Sequence, residues 1–195
     1  TLLTESCKHE FGQCARAFGC LPVGGLAGLH RAWGLPIFLG MTYVQRAKEV
    51  LDVEVAAIRQ VRDGLDGGFS EAVDVLLKVV GHGGKIVASG VGKNLPIAEK
   101  IAATFSSTGA PSVVLNPMQA MHGDLGMVSS CDVLLALSYS GGSDELLALV
   151  PAVKRAGVPV ICMTGNTESV LASVSDVVIP VTVAREACPF NMAPT

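Results

Sequence analysis

The feature that most constrains the fold is an alternation of short apolar runs with helical patterns over residues 85–181. Each run is long enough for a buried strand but too short for a helix. Strands that alternate with helices predict a parallel sheet with helices on both faces, and therefore an α/β fold. The predicted strands are 85–89, 112–115, 133–137, 159–164 and 177–181.

Helical periodicity precedes the first strand and continues between the others. Val44 to Leu65 repeats apolar residues every three or four positions, and we expect Gly67-Gly68 to end this helix. Ala72 to Val80 predicts a second helix with Ser70 as its N-cap. We expect Pro151 to kink or shorten one later helix, because proline lacks an amide N–H. The later helical patterns are 97–105, 144–155 and 168–173.

Composition excludes several classes of function. The 195 residues are 50% hydrophobic and 16% charged, which suits a chain with a buried core. A net charge of −3 and 5% aromatic residues provide neither a basic surface nor a stacking surface, so we expect no nucleic-acid partner. The six cysteines contain no C-x-x-C pair, which indicates no metal site, no disulfide framework and a reducing cytoplasm.

Residues 1–40 differ from the rest of the chain. Glycine and proline interrupt every apolar run there, and the stretch 17–29 is too short to span a membrane. We therefore expect no membrane partner, and we interpret 1–40 as a tail beside a domain at 41–195. A sharper hypothesis takes Met41 as the biological start of the protein, with 1–40 as upstream sequence.

A loop rich in serine follows the third predicted strand and opens a helix. Ser138, Ser140, Gly141 and Ser143 lie there, beside the amide groups that a helix leaves without intrahelical partners at its first turn. Hydroxyls and free amides together suit a phosphate group. The alternative is that Ser143 only caps its helix and the other serines only form a turn.

A glycine loop with a lysine follows the first predicted strand. Gly92 and Lys93 lie where a helix begins, as in a generic anion site. Leu95 stands where a dinucleotide fingerprint needs its third glycine, and Val87 and Asn94 break the Walker A pattern. Both nucleotide motifs are therefore excluded, and Lys93 is either an anion ligand or a solvated surface charge.

Three further side chains are candidates for proton chemistry. His122 lies in a turn-rich stretch after the second strand, Glu145 in the first turn of a helix, and Glu186 beyond the last strand. Each has a simpler alternative: a hydrogen-bonded structural histidine, a carboxylate that favours the helix dipole, and an exposed acid without a task. The carboxyl ends of parallel strands meet at one sheet edge, where ligands bind in such folds.

Five segments together resemble one known family. They are Gly90-Val91-Gly92-Lys93, residues 102–109, His122-Gly123-Asp124-Leu125-Gly126-Met127, Ser138-Tyr139-Ser140-Gly141, and Glu186-Ala187-Cys188-Pro189 with Ala193-Pro194-Thr195. In this order they resemble the sugar isomerase (SIS) domain, and within it the arabinose-5-phosphate isomerases. The resemblance extends back over the helices to about Met41.

The resemblance implies a flavodoxin-like αβα sandwich with a five-stranded parallel sheet. It also implies interconversion of D-ribulose 5-phosphate and D-arabinose 5-phosphate through an enediol, without a cofactor, for synthesis of the lipopolysaccharide precursor Kdo. Lys93, Glu145 and Glu186 match the family's active-site positions, and His122 matches a histidine nearby. The implied phosphate ligands are Gly92, Ser138, Ser140, Gly141 and Ser143.

The chain also departs from the family pattern. Asn94-Leu95 replaces a usual Ser-Gly pair, and Gly142 replaces a glutamate. The family continues with further helices and a histidine, so we expect the SIS domain here to be truncated at its C-terminus. The resemblance also implies a homo-oligomer, with a tetramer as the expected state. Two alternatives to the isomerase are a regulatory SIS module that binds a sugar phosphate without turnover, and an isomerase of another sugar phosphate.

Overall fold

A computed structural model describes residues 41–188 of the chain. The hypotheses about residues 1–40, and the matched residues 189–195, lie outside this range. The chain divides into two compact units after Glu49, a residue within the first described helix. Residues 50–188 are the described part of the unit that holds the sheet. No helix among residues 41–188 is both long and apolar enough to cross a membrane.

The predicted alternation of strands and helices is confirmed. Among residues 41–188, two helices, α1 (Tyr43–Asp63) and α2 (Gly67–Gly81), precede the sheet. The elements that follow are β1 (Ile86–Gly90), α3 (Asn94–Ser107), β2 (Ser112–Val114), α4 (Pro117–Ala120), a 3-10 helix (Asp124–Met127), β3 (Val133–Leu137), α5 (Asp144–Arg155), β4 (Val160–Thr164), α6 (Val170–Val174) and β5 (Val177–Pro180).

Three details of the predicted helices were wrong. Asp66, and not Ser70, caps α2, because its carboxylate accepts the amide of Gly68. Gly67-Gly68 accordingly begins α2, while α1 has already ended at Asp63. Pro151 does not shorten α5, which runs to Arg155. Pro151 is exposed, whereas its neighbours Val150 and Val153 are buried and hold that turn against the sheet.

All five strands are parallel, in the order β2-β1-β3-β4-β5. Side chains alternate between two buried clusters, as expected for a sheet covered on both faces. Val87, Leu134 and Cys162 pack with α5 and α6, while Ile86, Leu135 and Ile161 pack with α2 and α3. The predicted three-layer αβα sandwich of flavodoxin-like topology is therefore confirmed.

Asp132 anchors the amino-terminal edge of the sheet. It is 1% exposed, and its Oδ1 accepts the amide of Lys85 at 3.0 Å. Its Oδ2 accepts Nζ of Lys85 at 2.6 Å and the amide of Ser129 at 2.7 Å. Burial alone raises the pKa of Asp132, but these bonds together lower it below its ordinary value. The ionised carboxylate thus ties the start of β3 to the residue before β1.

We expect Asp132→Asn to lower the free energy of unfolding by about 3 kcal/mol, because the amide NH₂ of asparagine would face N–H donors in either orientation. The pKa of Asp132 is depressed in the folded state, so its contribution is complete above the unfolded pKa and is lost as pH falls through the folded pKa. Urea unfolding checks this: the gap between wild type and variant should narrow from about pH 6 to about pH 3. Asp74→Asn, at an exposed site on α2, is the control.

Candidate functional site

The strand order places a topological switch point at the carboxyl ends of β1 and β3. The chain turns from β1 to β2 on one side and later returns to β3 on the other. Ligands bind at such switch points in open α/β sheets, since the two following loops diverge there. Gly90 and Leu137 are paired in register at this edge. The glycine loop and the serine loop therefore leave the sheet side by side.

The serine loop is held together by its own hydroxyls. The hydroxyls of Ser138 and Ser143 lie 2.9 Å apart, and Ser138 is 2% exposed. The amide of Gly141 donates to Oγ of Ser138 at 3.1 Å, and the amide of Gly142 donates to Oγ of Ser140 at 3.3 Å. The loop is therefore a folded turn in which hydroxyls and amides are already gathered.

Ser143 occupies the N-cap position of α5 without capping it. Its side chain makes no hydrogen bond to the first turn of α5 and points to Ser138 instead. The alternative in which Ser143 merely caps its helix is therefore wrong. The amides of the first turn, at the positive end of the helix dipole, face the same loop as the two hydroxyls, which suits an anion.

Gly141 is tightly enclosed. Its φ is +64°, and a Cβ on it would lie 1.9 Å from Oγ of Ser169. Its carbonyl accepts the amide of Leu171 at 3.1 Å, while Oγ of Ser169 accepts the amide of Ala172. The serine loop therefore rests directly on the start of α6. Sequence reasoning missed Ser169, whose position immediately before the α6 residues is the only signal for it.

The glycine loop brings Lys93 to the same edge. A Cβ on Gly90 would lie 2.8 Å from the backbone of Asn94, so only glycine lets α3 begin this close to β1. Gly92 has a φ of +58°, which turns the chain into α3. Lys93 is exposed at the N-cap position of α3. A cationic side chain thus stands one strand away from the serine loop.

The remaining candidates follow the carboxyl ends of three different strands. Glu145 is half-buried in the first turn of α5 and directly adjoins the serine loop. His122 is exposed in the turn between α4 and the 3-10 helix, beyond β2 and two strands from β3. Glu186 is half-buried in the segment after β5. No hydrogen bond within 41–188 joins His122 or Glu145 to the serine loop.

Tyr139 and Thr164 lie in loops that the sequence placed at this edge, although it indicated no role for either side chain. The carbonyl of Tyr139 accepts the amide of Gly165 at 2.9 Å and the hydroxyl of Thr164 at 3.2 Å. Thr164 is fully buried at the end of β4. The signal for both was their place near the carboxyl ends of predicted strands, where the ligand-binding edge was expected.

No group of three or more metal-binding side chains occurs within the described range 41–188. Cys162 belongs to β4 and packs in the core; burial raises the pKa of its thiol more than a hydrogen bond with Ser175 lowers it, so the thiol stays protonated. It is not a nucleophile of this site.

Comparisons with known proteins show which sequences and structures this chain is similar to. The family model of the SIS domain matches residues 82–195. Arabinose 5-phosphate isomerase KdsD of Shigella flexneri is 45% identical over 156 residues, as is KdsD of Escherichia coli strain K12, each match covering 80% of this chain and 47% of the relative. This chain thus spans about half the length of these curated relatives. The structure of E. coli CFT073 c3406 in complex with arabinose 5-phosphate has a TM-score of 0.74 and 37% identity, over 80% of this chain and 82% of that one.

Proposed function

Because this chain belongs to the SIS domain family, we propose that it is an aldose–ketose isomerase that interconverts D-ribulose 5-phosphate and D-arabinose 5-phosphate. The names of the curated relatives support arabinose 5-phosphate as one member of this pair, as does the complex of the similar E. coli protein with arabinose 5-phosphate. In this proposal the product feeds the synthesis of Kdo, in the cytoplasm.

The observation that carries the proposal is the serine loop at the switch point. Ser143 directly precedes α5 but directs its hydroxyl to Ser138, so its side chain leaves the amides of the first turn available to a ligand. A phosphate dianion placed there would accept hydrogen bonds from these amides and hydroxyls, with Lys93 one strand away. Gly92, Ser140 and Gly141 complete the proposed phosphate site.

The reaction needs one proton carrier and one polarising group. A carboxylate removes a proton from C1 of the open-chain ketose while the C2 carbonyl oxygen gains a proton, which forms the enediol. The same acid then returns a proton to C2 as the C1 hydroxyl loses its own, which leaves the aldose. We assign the carrier to Glu186 or Glu145 and the polarising charge to Lys93. His122 borders the site from the side of β2.

We expect Ser138→Ala and Ser143→Ala each to raise the KM for ribulose 5-phosphate by about tenfold or more, because each removes a hydrogen bond to a charged group. The kcat should change much less, since the phosphate does not react. Ser173→Ala, an exposed serine on α6, is the control. Steady-state kinetics measures both constants, and an unchanged KM in both variants would contradict the phosphate site.

The function itself is tested by an isomerisation assay with ribulose 5-phosphate, in which the product is identified as arabinose 5-phosphate or its C2 epimer ribose 5-phosphate. Arabinose without the phosphate should neither react nor raise the melting temperature. Formation of the epimer would point to another isomerase on this scaffold. Tight binding of arabinose 5-phosphate without turnover would contradict the isomerase proposal and favour the regulatory SIS module.

We also propose a homo-oligomer, with a tetramer as the expected state. The exposed side chains of Leu51, Val55 and Ile58 follow one another at helical spacing on α1, so that α1 presents an apolar stripe to solvent. Covering such a stripe with a second copy removes apolar surface from water. The mass in solution, measured by light scattering, tests this assembly.

A further inference from the structure

The segment after β5 crosses the carboxyl ends of neighbouring strands before it reaches Glu186. The amide of Val181 donates to the carbonyl of Thr164 at 2.9 Å, and the hydroxyl of Thr182 donates to the carbonyl of Gly165 at 2.9 Å. These two bonds hold the start of the segment beside the carboxyl end of β4, just beyond the last residue of β5. They end four residues before Glu186, so other contacts must hold the rest of the segment.

Tyr139 supplies one such contact from within the serine loop. Its ring lies over Gly165, where a Cβ would be only 2.5 Å from Cε2. Its Oη lies 3.4 Å from the amide nitrogen of Val183 and 3.5 Å from the carbonyl oxygen of the same residue. Each bond is long and weak on its own. Together with the packed ring, these bonds tie the backbone at Val183 to the serine loop, which contains Tyr139.

Gln60 supplies the second contact from the far end of α1. Its Oε1 accepts the amide of Ala184 at 2.9 Å, across 124 positions of sequence. Glu186 follows Ala184 by two residues, and two residues span at most about 7 Å. This bond therefore restrains the backbone two residues before Glu186.

We propose that Gln60 and Tyr139 are positioning residues, which together hold the segment 181–186 over the carboxyl edge so that Glu186 keeps a constant place relative to the serine loop. This inference rests on the proposed isomerase function and adds two residues to it. Neither residue touches the reacting atoms. Both act through the backbone of Val183 and Ala184, which explains why a tyrosine stands between two serines of the phosphate loop.

The kinetic test uses a matched pair at residue 60. Gln60→Met keeps the length of the side chain but removes the acceptor, and it should lower kcat by about ten- to a hundredfold with KM within about twofold. Gln60→Glu keeps an oxygen acceptor for the amide of Ala184 and should retain the wild-type kcat. Tyr139→Phe loses only the hydroxyl and should lower kcat, as Gln60→Met does.

Proteolysis tests the clamp, defined as the contacts of Gln60 and Tyr139 with the segment 181–186, and it needs no measurement of enzymatic activity. Arg185 is exposed, so trypsin cleavage after it reports how often the segment leaves the surface. Mass spectrometry should show faster cleavage after Arg185 in Gln60→Met and Tyr139→Phe, and the wild-type rate in Gln60→Glu.

The outcomes separate the clamp from the function. Equal cleavage in all four proteins overturns the clamp. Faster cleavage with an unchanged kcat overturns the positioning role and leaves the isomerase proposal in place. A wild-type protein without isomerase activity overturns the function and the positioning role together, whereas the cleavage rates still report the clamp as a structural contact.

Discussion

Glu186→Gln is expected to lower the kcat for ribulose 5-phosphate by about 10²–10⁴-fold, the usual contribution of a general acid–base group. Glutamine has nearly the same shape as glutamate but accepts no proton at neutral pH, so binding should be largely retained. KM should accordingly stay within a few-fold of the wild-type value. Steady-state kinetics of the purified protein measures both constants.

The paired variant Glu145→Gln decides between the two carboxylates. Glu145 lies in the first turn of α5, where a negative charge is favoured whether or not it has a catalytic task. Exchange of the substrate C1 proton with deuterated water, followed by NMR, should stop in the variant that lacks the carrier. Glu71→Gln, at an exposed site on α2, is the control. Exchange at the wild-type rate in both carboxylate variants would exclude both as the carrier.

Gly141→Ala is expected to lower the free energy of unfolding by about 3 kcal/mol and to abolish measurable binding of arabinose 5-phosphate. An L residue at φ +64° carries a backbone cost of about 1–2 kcal/mol. The new Cβ would also lie 1.9 Å from Oγ of Ser169, and overpacking costs about 1–3 kcal/mol. Relief of this clash displaces the serine loop, so the proposed phosphate site is lost.

The adjacent glycine provides the matched control for that prediction. A Cβ on Gly142 would come no closer than 4.0 Å to a neighbouring atom, Oγ of Ser140, and its φ is not in the left-handed region. Gly142→Ala should therefore change stability by less than about 0.5 kcal/mol. Urea unfolding and titration calorimetry compare the two variants. Equal free energies of unfolding and equal affinities for arabinose 5-phosphate in the two variants would contradict the claim that Gly141 is enclosed.

Much of the fold was predictable because its signals are local. The apolar run Val133–Leu137 is a strand with the predicted bounds, and α5 has the predicted bounds from Asp144 to Arg155. Strand periodicity and helix periodicity are each encoded within a few neighbouring residues. The cap of α2 was harder to predict, since Asp66 and Ser70 both fit the pattern and only the backbone geometry selects one.

The candidate site was predictable as a set of loops but not as a set of contacts. Parallel strands bring their carboxyl ends to one edge, so the loops with Lys93 and Ser138 were expected at the same edge. The structure shows that β1 and β3 are paired, which makes these two loops neighbours. The hydrogen bond between Ser138 and Ser143 was not predictable, because a serine before a helix ordinarily bonds to the helix. The catalytic roles of Glu145, Glu186, Lys93 and His122 stay predictions.

The sequence by itself determined the layers, the direction of the strands and the edge at which a ligand binds, because periodicity and connection length restrict these features strongly. Only the tertiary structure decided which distant residues meet: Ser169 beneath Gly141, and Gln60 beside Ala184. Such contacts depend on small differences in packing between elements far apart in sequence, and no local pattern records them. The first contact holds the serine loop against the start of α6, and the second ties the backbone at Ala184 to α1.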